Sequence, residues 1–201
     1  MAIFRIDHKP SSVNLRLPLY LCMPEPKEIE ELPLKKHKVL YLLHGLSDDG
    51  SAWVRNSNVS YLAQNYNLIV VMPSVTRSFY SDQRNGLKFF TYLTEELPLY
   101  LKNLFGIDPK PENTLIAGLS MGGYGSLKYA LTYPERFFAA ASFSGVTTMD
   151  IMKGISPDEP FYNEMELLLG DPAQFEGSQH DPLFLLEQAV ESGKSLPQLY
   201  I

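Results

Sequence analysis

The chain has 201 residues, 45% of them hydrophobic and 20% charged, with a formal net charge of -6. This is enough chain for one domain, 1–201, with a sizeable core, and the acidic balance argues against nucleic-acid or anionic-membrane partners. The single cysteine, Cys22, excludes an intrachain disulfide; no apolar run reaches membrane-span length, and Arg5 and Asp7 fall where a secretion signal needs apolar residues, so a cytoplasmic protein is expected.

In chain order, Ile3 to Asp7 and Val13 to Met23 read as two extended segments forming an antiparallel edge, because Asn14, Arg16 alternate with Leu15, Leu17. Cys22 lies in the second of these and reads as a small core residue. Pro24 to Pro33 is acidic and proline-containing, a surface loop. The short basic run Lys35-Lys36-His37-Lys38 reads as the solvated lead-in to a strand. Val39-Leu40-Tyr41-Leu42-Leu43 is continuously apolar, as a strand buried on both faces should be. Val59 to Gln64 reads as helix, and Leu68 to Met72 as a second buried strand stopped by Pro73. Phe89 to Phe105 is an aromatic-rich helix in which Pro98 predicts a kink or a late start.

The most specific motif comes next. Thr114-Leu115-Ile116-Ala117 is strand-like, Gly118-Leu119-Ser120-Met121-Gly122-Gly123 follows, and Tyr124 to Leu131 is helix-like, closed by Tyr133-Pro134. Strand, Gly-x-Ser-x-Gly, helix is the nucleophile-elbow pattern. A serine at so sharp a turn needs neighbours with almost no side chain. Gly118 and Gly122 supply that room, and Gly123 lets the helix approach the strand. Ser120 then projects above the sheet at a helix N-terminus, where amides favour developing negative charge.

Phe137 to Phe143 is a third buried strand, ending in Ser144-Gly145. Val146 to Gln179, broken by Pro157, Pro160 and Pro172, reads as an irregular, cap-like excursion over the mouth of the site. Asp181-Pro182 starts a helix, with Asp181 as N-cap and Pro182 at the first position, running to about Ser192 and ending at Gly193. Leu196 to Ile201 begins another strand. Buried strands alternating with helices predict an α/β protein with a mostly parallel sheet and helices on both faces, its sites at the carboxyl ends of the strands. Ser120 falls there. So does His44-Gly45-Leu46-Ser47-Asp48-Asp49-Gly50, directly after the strand Val39 to Leu43.

An acyl-transfer serine needs backbone donors for an oxyanion. In an elbow architecture one is the amide after the serine, here Met121, and the other comes from a loop after an earlier strand. Gly45 would let that loop turn its Leu46 amide toward the site. His44 precedes the serine in the chain and reads as a structural side chain. Trp53, the only tryptophan, is either a wall of the acyl pocket or a core residue. Tyr80, in Ser78-Phe79-Tyr80-Ser81-Asp82, falls on the active-site side, either lining the pocket or lying on a surface loop.

Tyr41 to Ser47, Ser51-Ala52-Trp53, Leu68 to Pro73, Ile116 to Gly125 and Ala140 to Gly145 together resemble the bacterial tributyrin-esterase proteins. These are similar to esterase D and S-formylglutathione hydrolase and, more distantly, to the mycolyl transferases. The resemblance implies an α/β-hydrolase fold and a carboxylesterase acting on short acyl esters, with Ser120 as nucleophile and Leu46 and Met121 as oxyanion donors. Nothing in the sequence suggests a metal or an organic cofactor: no paired His/Cys spacing occurs, and no Gly-x-Gly-x-x-Gly follows a strand.

A hydrolase of this fold orders its triad serine, then acid, then histidine. The resemblance places the acid after the strand that begins at Leu196 and the histidine one strand later, so the triad is expected to be incomplete in these residues. The sole histidine after Ser120 is His180, a base candidate or a cap residue beside the helix start. The chain is expected to be a fragment of a longer esterase, a truncated product, or one whose missing strands come from another chain; the first is preferred. The apolar Leu196 to Ile201 edge is open to self-association. An acyltransferase and a non-catalytic binding module with a vestigial elbow are the competing readings.

Overall fold

A computed structural model describes residues 1–25 and 37–201 of the chain. Most of the loop expected over Pro24 to Pro33, together with Lys35 and Lys36, lies outside the described residues. Seven strands form one sheet: β1 (Ala2–His8), β2 (Leu17–Met23), β3 (Lys38–Leu43), β4 (Leu68–Pro73), β5 (Thr114–Leu119), β6 (Ala139–Phe143) and β7 (Gln198–Tyr200), in the order β1-β2-β4-β3-β5-β6-β7. β2 is antiparallel to both β1 and β4; from β4 across to β7 every pairing is parallel.

Alternate residues of the central strands feed two core layers, as the two-residue period of a strand requires. Val39, Tyr41, Leu43, Ile69, Val71 and Ile116 face one layer. Leu42, Val70, Met72 and Ala117 face the other, with Cys22 and with Val59 and Ala63 of helix α2 (Val59–Asn65), which follows the short α1 (Ala52–Asn56). The first layer is closed by the helix after the elbow, α5 (Met121–Thr132), and by the segment from Phe89 to Phe105. Helices therefore cover both faces of a mostly parallel sheet, as expected.

Four sequence expectations need correction. The second extended segment starts at Leu17, not Val13, because Asn14 takes a left-handed backbone (φ 55°) and donates its N–H to the Pro10 carbonyl at 2.7 Å, turning the chain back. The strand expected from Phe137 starts at Ala139, after a 3-10 turn at Pro134–Arg136. The helix around Pro98 is neither simply kinked nor late. It runs as α3 (Phe89–Thr91), a π-helical turn (Tyr92–Glu96) and α4 (Leu97–Phe105). Pro98 has no N–H to offer the Thr94 carbonyl. That carbonyl instead accepts from Arg136 Nη1 at 2.8 Å and from the Tyr129 hydroxyl at 3.3 Å.

The Val146 to Gln179 excursion is more regular than expected. It contains 3-10 segments at Met149–Gly154 and Pro172–Gln174 and a ten-residue helix, α6 (Pro160–Leu169). Pro160 sits at the start of α6, where its missing N–H costs nothing. Asp181 caps α7 (Pro182–Glu191) as expected, accepting the Leu183 N–H at 3.1 Å. The same carboxylate accepts the N–H groups of Met149 at 3.2 Å and Gly177 at 3.1 Å, tying the excursion to α7.

Candidate active site

β5 delivers Ser120 in a backbone conformation that L-residues rarely adopt, φ 53°, ψ -114°. Such a conformation costs about 1–3 kcal/mol and persists only where the surroundings enforce it. Here the Ser120 N–H donates to the Phe143 carbonyl at 2.8 Å, and its carbonyl accepts the Tyr124 N–H at 3.0 Å. The glycines make the turn sterically feasible. A Cβ on Gly118 would lie 2.2 Å from the Gly122 carbonyl oxygen, and one on Gly122 would lie 2.3 Å from that of Leu43. On Gly123 it would meet Ser142 Oγ at 2.8 Å and the Cα of Gly145 at 2.9 Å. The first turn of α5 thus lies against the end of β3 and the chain leaving β6, and Ser120 stays exposed at its N-terminus.

The loop after β3 passes close by: a Cβ on Gly45 would sit 3.9 Å from the Cβ of Ser120. His44 is buried, 1% exposed, and both ring nitrogens are engaged. Nε2 accepts the Val75 N–H at 3.1 Å, which puts the proton on Nδ1, and Nδ1 meets the Gly45 carbonyl at 2.7 Å. Burial holds the His44 pKa below the ordinary histidine value, so the ring is neutral. The Gly45 carbonyl also accepts the Asp48 N–H at 3.2 Å, and the Gly50 N–H donates to Ser74 Oγ at 2.9 Å. Among the described residues no acceptor meets the N–H of Leu46. The Met121 N–H opens α5, where helix geometry provides no intrahelical acceptor.

The other sequence candidates fall elsewhere. Tyr80 is neither on a surface loop nor on an open pocket wall: it is fully buried, and its hydroxyl donates to the His44 carbonyl at 2.9 Å. Trp53 packs on the α2 side of the sheet, and its Nε1–H donates to the Leu43 carbonyl at 3.2 Å. His180 does not reach the serine. Its Nδ1 lies 3.5 Å from Nζ of Lys128, eight residues beyond Ser120 on α5, or about 12 Å along the helix. Burial first, and then the Lys128 charge, push its pKa down to about 4. Of the other histidines, His8 pairs with the Tyr92 hydroxyl at 3.0 Å, and His37 precedes β3 at the end opposite the Leu46 loop.

Sequence reading missed Lys128. It is 5% exposed, in an α5 whose residues Met121 to Leu131 are all buried. Its ammonium meets Ser81 Oγ at 2.7 Å and lies 5.3 Å and 5.8 Å from the ring centres of Phe90 and Tyr124; burial pulls its pKa down to about 7. The available signal was an α5 apolar nearly all round, the mark of a fully buried helix. Among the described residues, no group of three or more His, Cys, Asp or Glu side chains is placed to hold a metal ion, and no helix is long and apolar enough to cross a membrane.

Comparison with known proteins bears on this geometry. The model of the Esterase family, described as "Putative esterase", matches residues 11–196. An acetyl esterase of Caldicellulosiruptor saccharolyticus is 30% identical over 183 residues, covering 89% of this chain and 69% of that protein. A diacylglycerol acyltransferase/mycolyltransferase of Mycobacterium leprae is 33% identical over 145 residues, covering 63% of this chain and 43% of the transferase. Among solved structures, the fluorophosphonate-binding serine hydrolase F of Staphylococcus aureus superposes with a TM-score of 0.86 at 30% identity, over 98% of this chain and 77% of its own. The S-formylglutathione hydrolase of the same organism gives a TM-score of 0.83 at 29% identity, with the same coverage. The sheet is thus that of the α/β-hydrolase-fold esterases, and these neighbours are longer than this chain.

Proposed function

Because the chain belongs to the Esterase family, we propose that it carries the nucleophile and oxyanion half of a serine carboxylesterase for short-chain acyl esters, similar to the tributyrin-esterase and esterase D proteins. Ser120 Oγ attacks the ester carbonyl. The Leu46 and Met121 amides receive the oxyanion, the alcohol leaves, and water releases the acid from the Ser120 acyl-enzyme. The observation that carries this reading is the strained, exposed Ser120 at φ 53°, ψ -114°, beside a loop whose Leu46 N–H has no acceptor among the described residues. Strain in an exposed nucleophilic residue, enforced by glycines that cannot take a Cβ, supports a catalytic reading over a plain turn.

Ser120 needs a general base, and none of the chain's four histidines is placed to act. His44 has both nitrogens engaged, His180 faces Lys128, and His8 and His37 lie elsewhere. We infer that the base comes from outside these 201 residues. The test is hydrolysis of p-nitrophenyl acetate and butyrate by the chain and by Ser120→Ala, with and without imidazole as a diffusible base. Ser120-dependent turnover that imidazole raises is the expected result. Identical rates in both proteins under every condition, with no acyl group on the Ser120 peptide by mass spectrometry, would sink the reading. The likeness to the M. leprae acyltransferase supports a second reading, acyl transfer to an alcohol. Adding an alcohol acceptor and assaying for a new ester separates it from hydrolysis.

A further inference from the structure

We propose that Tyr80 is a positioning residue of this site: through the His44 carbonyl it fixes the loop that aims the Leu46 amide. The inference rests on the esterase reading and adds a residue that acts through the backbone.

Two consecutive peptide planes link the Tyr80 hydroxyl to the Leu46 amide. A trans peptide is rigid, and its C=O and N–H point in opposite directions. The Leu46 N–H belongs to the same plane as the Gly45 C=O, so whatever holds that carbonyl also aims the amide. Two donors hold it, His44 Nδ1–H at 2.7 Å and the Asp48 N–H at 3.2 Å. The preceding plane carries the His44 C=O, which accepts the Tyr80 hydroxyl at 2.9 Å. This carbonyl also faces the elbow helix: its oxygen would lie 2.8 Å from a Cβ on Gly122. Its direction therefore sets how the loop and the first turn of α5 fit together.

The segment bearing Tyr80 is built to hold the ring there. Thr76, Phe79 and Tyr80 all have left-handed backbones, with φ of 53°, 52° and 49°. Such conformations are costly for residues with side chains. The turn is fixed by the Ser81 hydroxyl on the Phe79 carbonyl at 2.9 Å and by the Tyr80 N–H on Ser78 Oγ at 3.2 Å. The ring lies flush against α5, where a Cβ on Gly125 would come within 2.5 Å of its carbons. The same segment supplies the Val75 N–H that sets the His44 tautomer and the Ser74 hydroxyl that receives the Gly50 N–H. One strained turn thus orients the loop at both ends.

Tyr80→Phe removes the hydroxyl and keeps the ring. Two readouts are taken on the full 201-residue chain. The first is amide hydrogen exchange across residues 43–51 by mass spectrometry, expected to speed up at least about 10-fold there while the rest of the sheet is unchanged. The second is ester hydrolysis with imidazole as the diffusible base, where kcat is expected to fall about 10- to 100-fold with KM within about twofold, because a displaced donor weakens the transition state more than substrate binding. His44→Asn, which keeps a side-chain N–H near the Nδ1 position, is expected to retain more activity and more protection of residues 43–51 than His44→Ala. Unchanged exchange across 43–51 in Tyr80→Phe overturns the proposal, as does a change in KM alone. If Tyr80→Phe does not fold, Gly125→Ala decides, because its Cβ would come within 2.5 Å of the Tyr80 ring carbons and displace the hydroxyl; unchanged exchange across 43–51 in that variant overturns the proposal. Wild-type turnover no faster than Ser120→Ala even with imidazole, and no acyl group on the Ser120 peptide, would refute the esterase reading, while exchange still judges Tyr80.

Discussion

Gly122→Ala tests whether the elbow is held together by contact between backbones. The new Cβ would lie 2.3 Å from the Leu43 carbonyl oxygen, 2.6 Å from its carbon and 2.8 Å from the His44 oxygen. A comfortable carbon–oxygen approach is about 3.4 Å, so α5 and β3 must part by about 1 Å. Neither side can yield by changing a rotamer. The Leu43 carbonyl is further held by the Trp53 Nε1–H at 3.2 Å. Overpacking of this kind costs about 3 kcal/mol, against which alanine's better helix propensity returns at most about 1 kcal/mol. The net loss is about 2 kcal/mol, which for a chain of this size lowers Tm by about 4–8 °C. The assay is thermal unfolding followed by circular dichroism, with Gly154→Ala as control, since a Cβ there meets nothing within 4 Å. Hydrolysis should fall about 100-fold with the 1 Å displacement of Ser120 from the Leu46 loop. A Gly122→Ala protein melting at or above the wild-type temperature would refute the reasoning, because helix propensity would then outweigh the contact.

Asp181→Ala removes a cap and leaves the amides of Met149 and Gly177 without their carboxylate, so a loss of about 3 kcal/mol is expected. Limited proteolysis should cut the variant faster within residues 146–180 than elsewhere; unchanged cleavage there would contradict the tie seen between the excursion and α7. Lys128→Met tests the buried amine. Its folded pKa of about 7 lies below the ordinary 10.5, so between those values the unfolded chain binds the extra proton and wild-type stability rises with pH. The variant lacks that slope: it should be the more stable protein near pH 6, with its advantage shrinking by pH 9, and parallel urea-midpoint curves would refute the assignment.

Much of the fold was readable because its signals are local. Continuous apolar runs marked β3 and β4, and Asp181-Pro182 marked the start of α7. The failures lie where hydrogen-bond partners, near or far along the chain, decide between conformations that the local pattern leaves open. The alternation from Asn14 to Leu17 looked like a strand, but Asn tolerates a left-handed backbone and the Pro10 carbonyl was waiting for its N–H. Pro98 announces a disturbance without showing its form, since the carbonyl it leaves open, that of Thr94, is satisfied by Arg136 and Tyr129 from far along the chain. Pro160 reads from sequence as a breaker inside the excursion. The same residue at a first helical position is a start signal, and only the packing decides between the two.

The candidate site divides in the same way. Gly118, Gly122 and Gly123 were legible because a missing side chain can be read directly as a demand for space, and the structure fills that space with backbone. Tyr80 was not, because its contribution is the direction of one hydroxyl. Nothing in Ser78-Phe79-Tyr80-Ser81 says that two consecutive left-handed residues turn the ring inward under the His44 carbonyl. His44 shows the intermediate case. Chain order argued against it as a base, but its structural use required knowing that the Val75 N–H, contributed from beyond β4, would fix its tautomer. The geometry of the proposed oxyanion site is therefore encoded twice. Glycines that admit the backbone announce it locally, and buried side chains that aim the backbone complete it from a distance. Only the first can be read from a single chain without its fold.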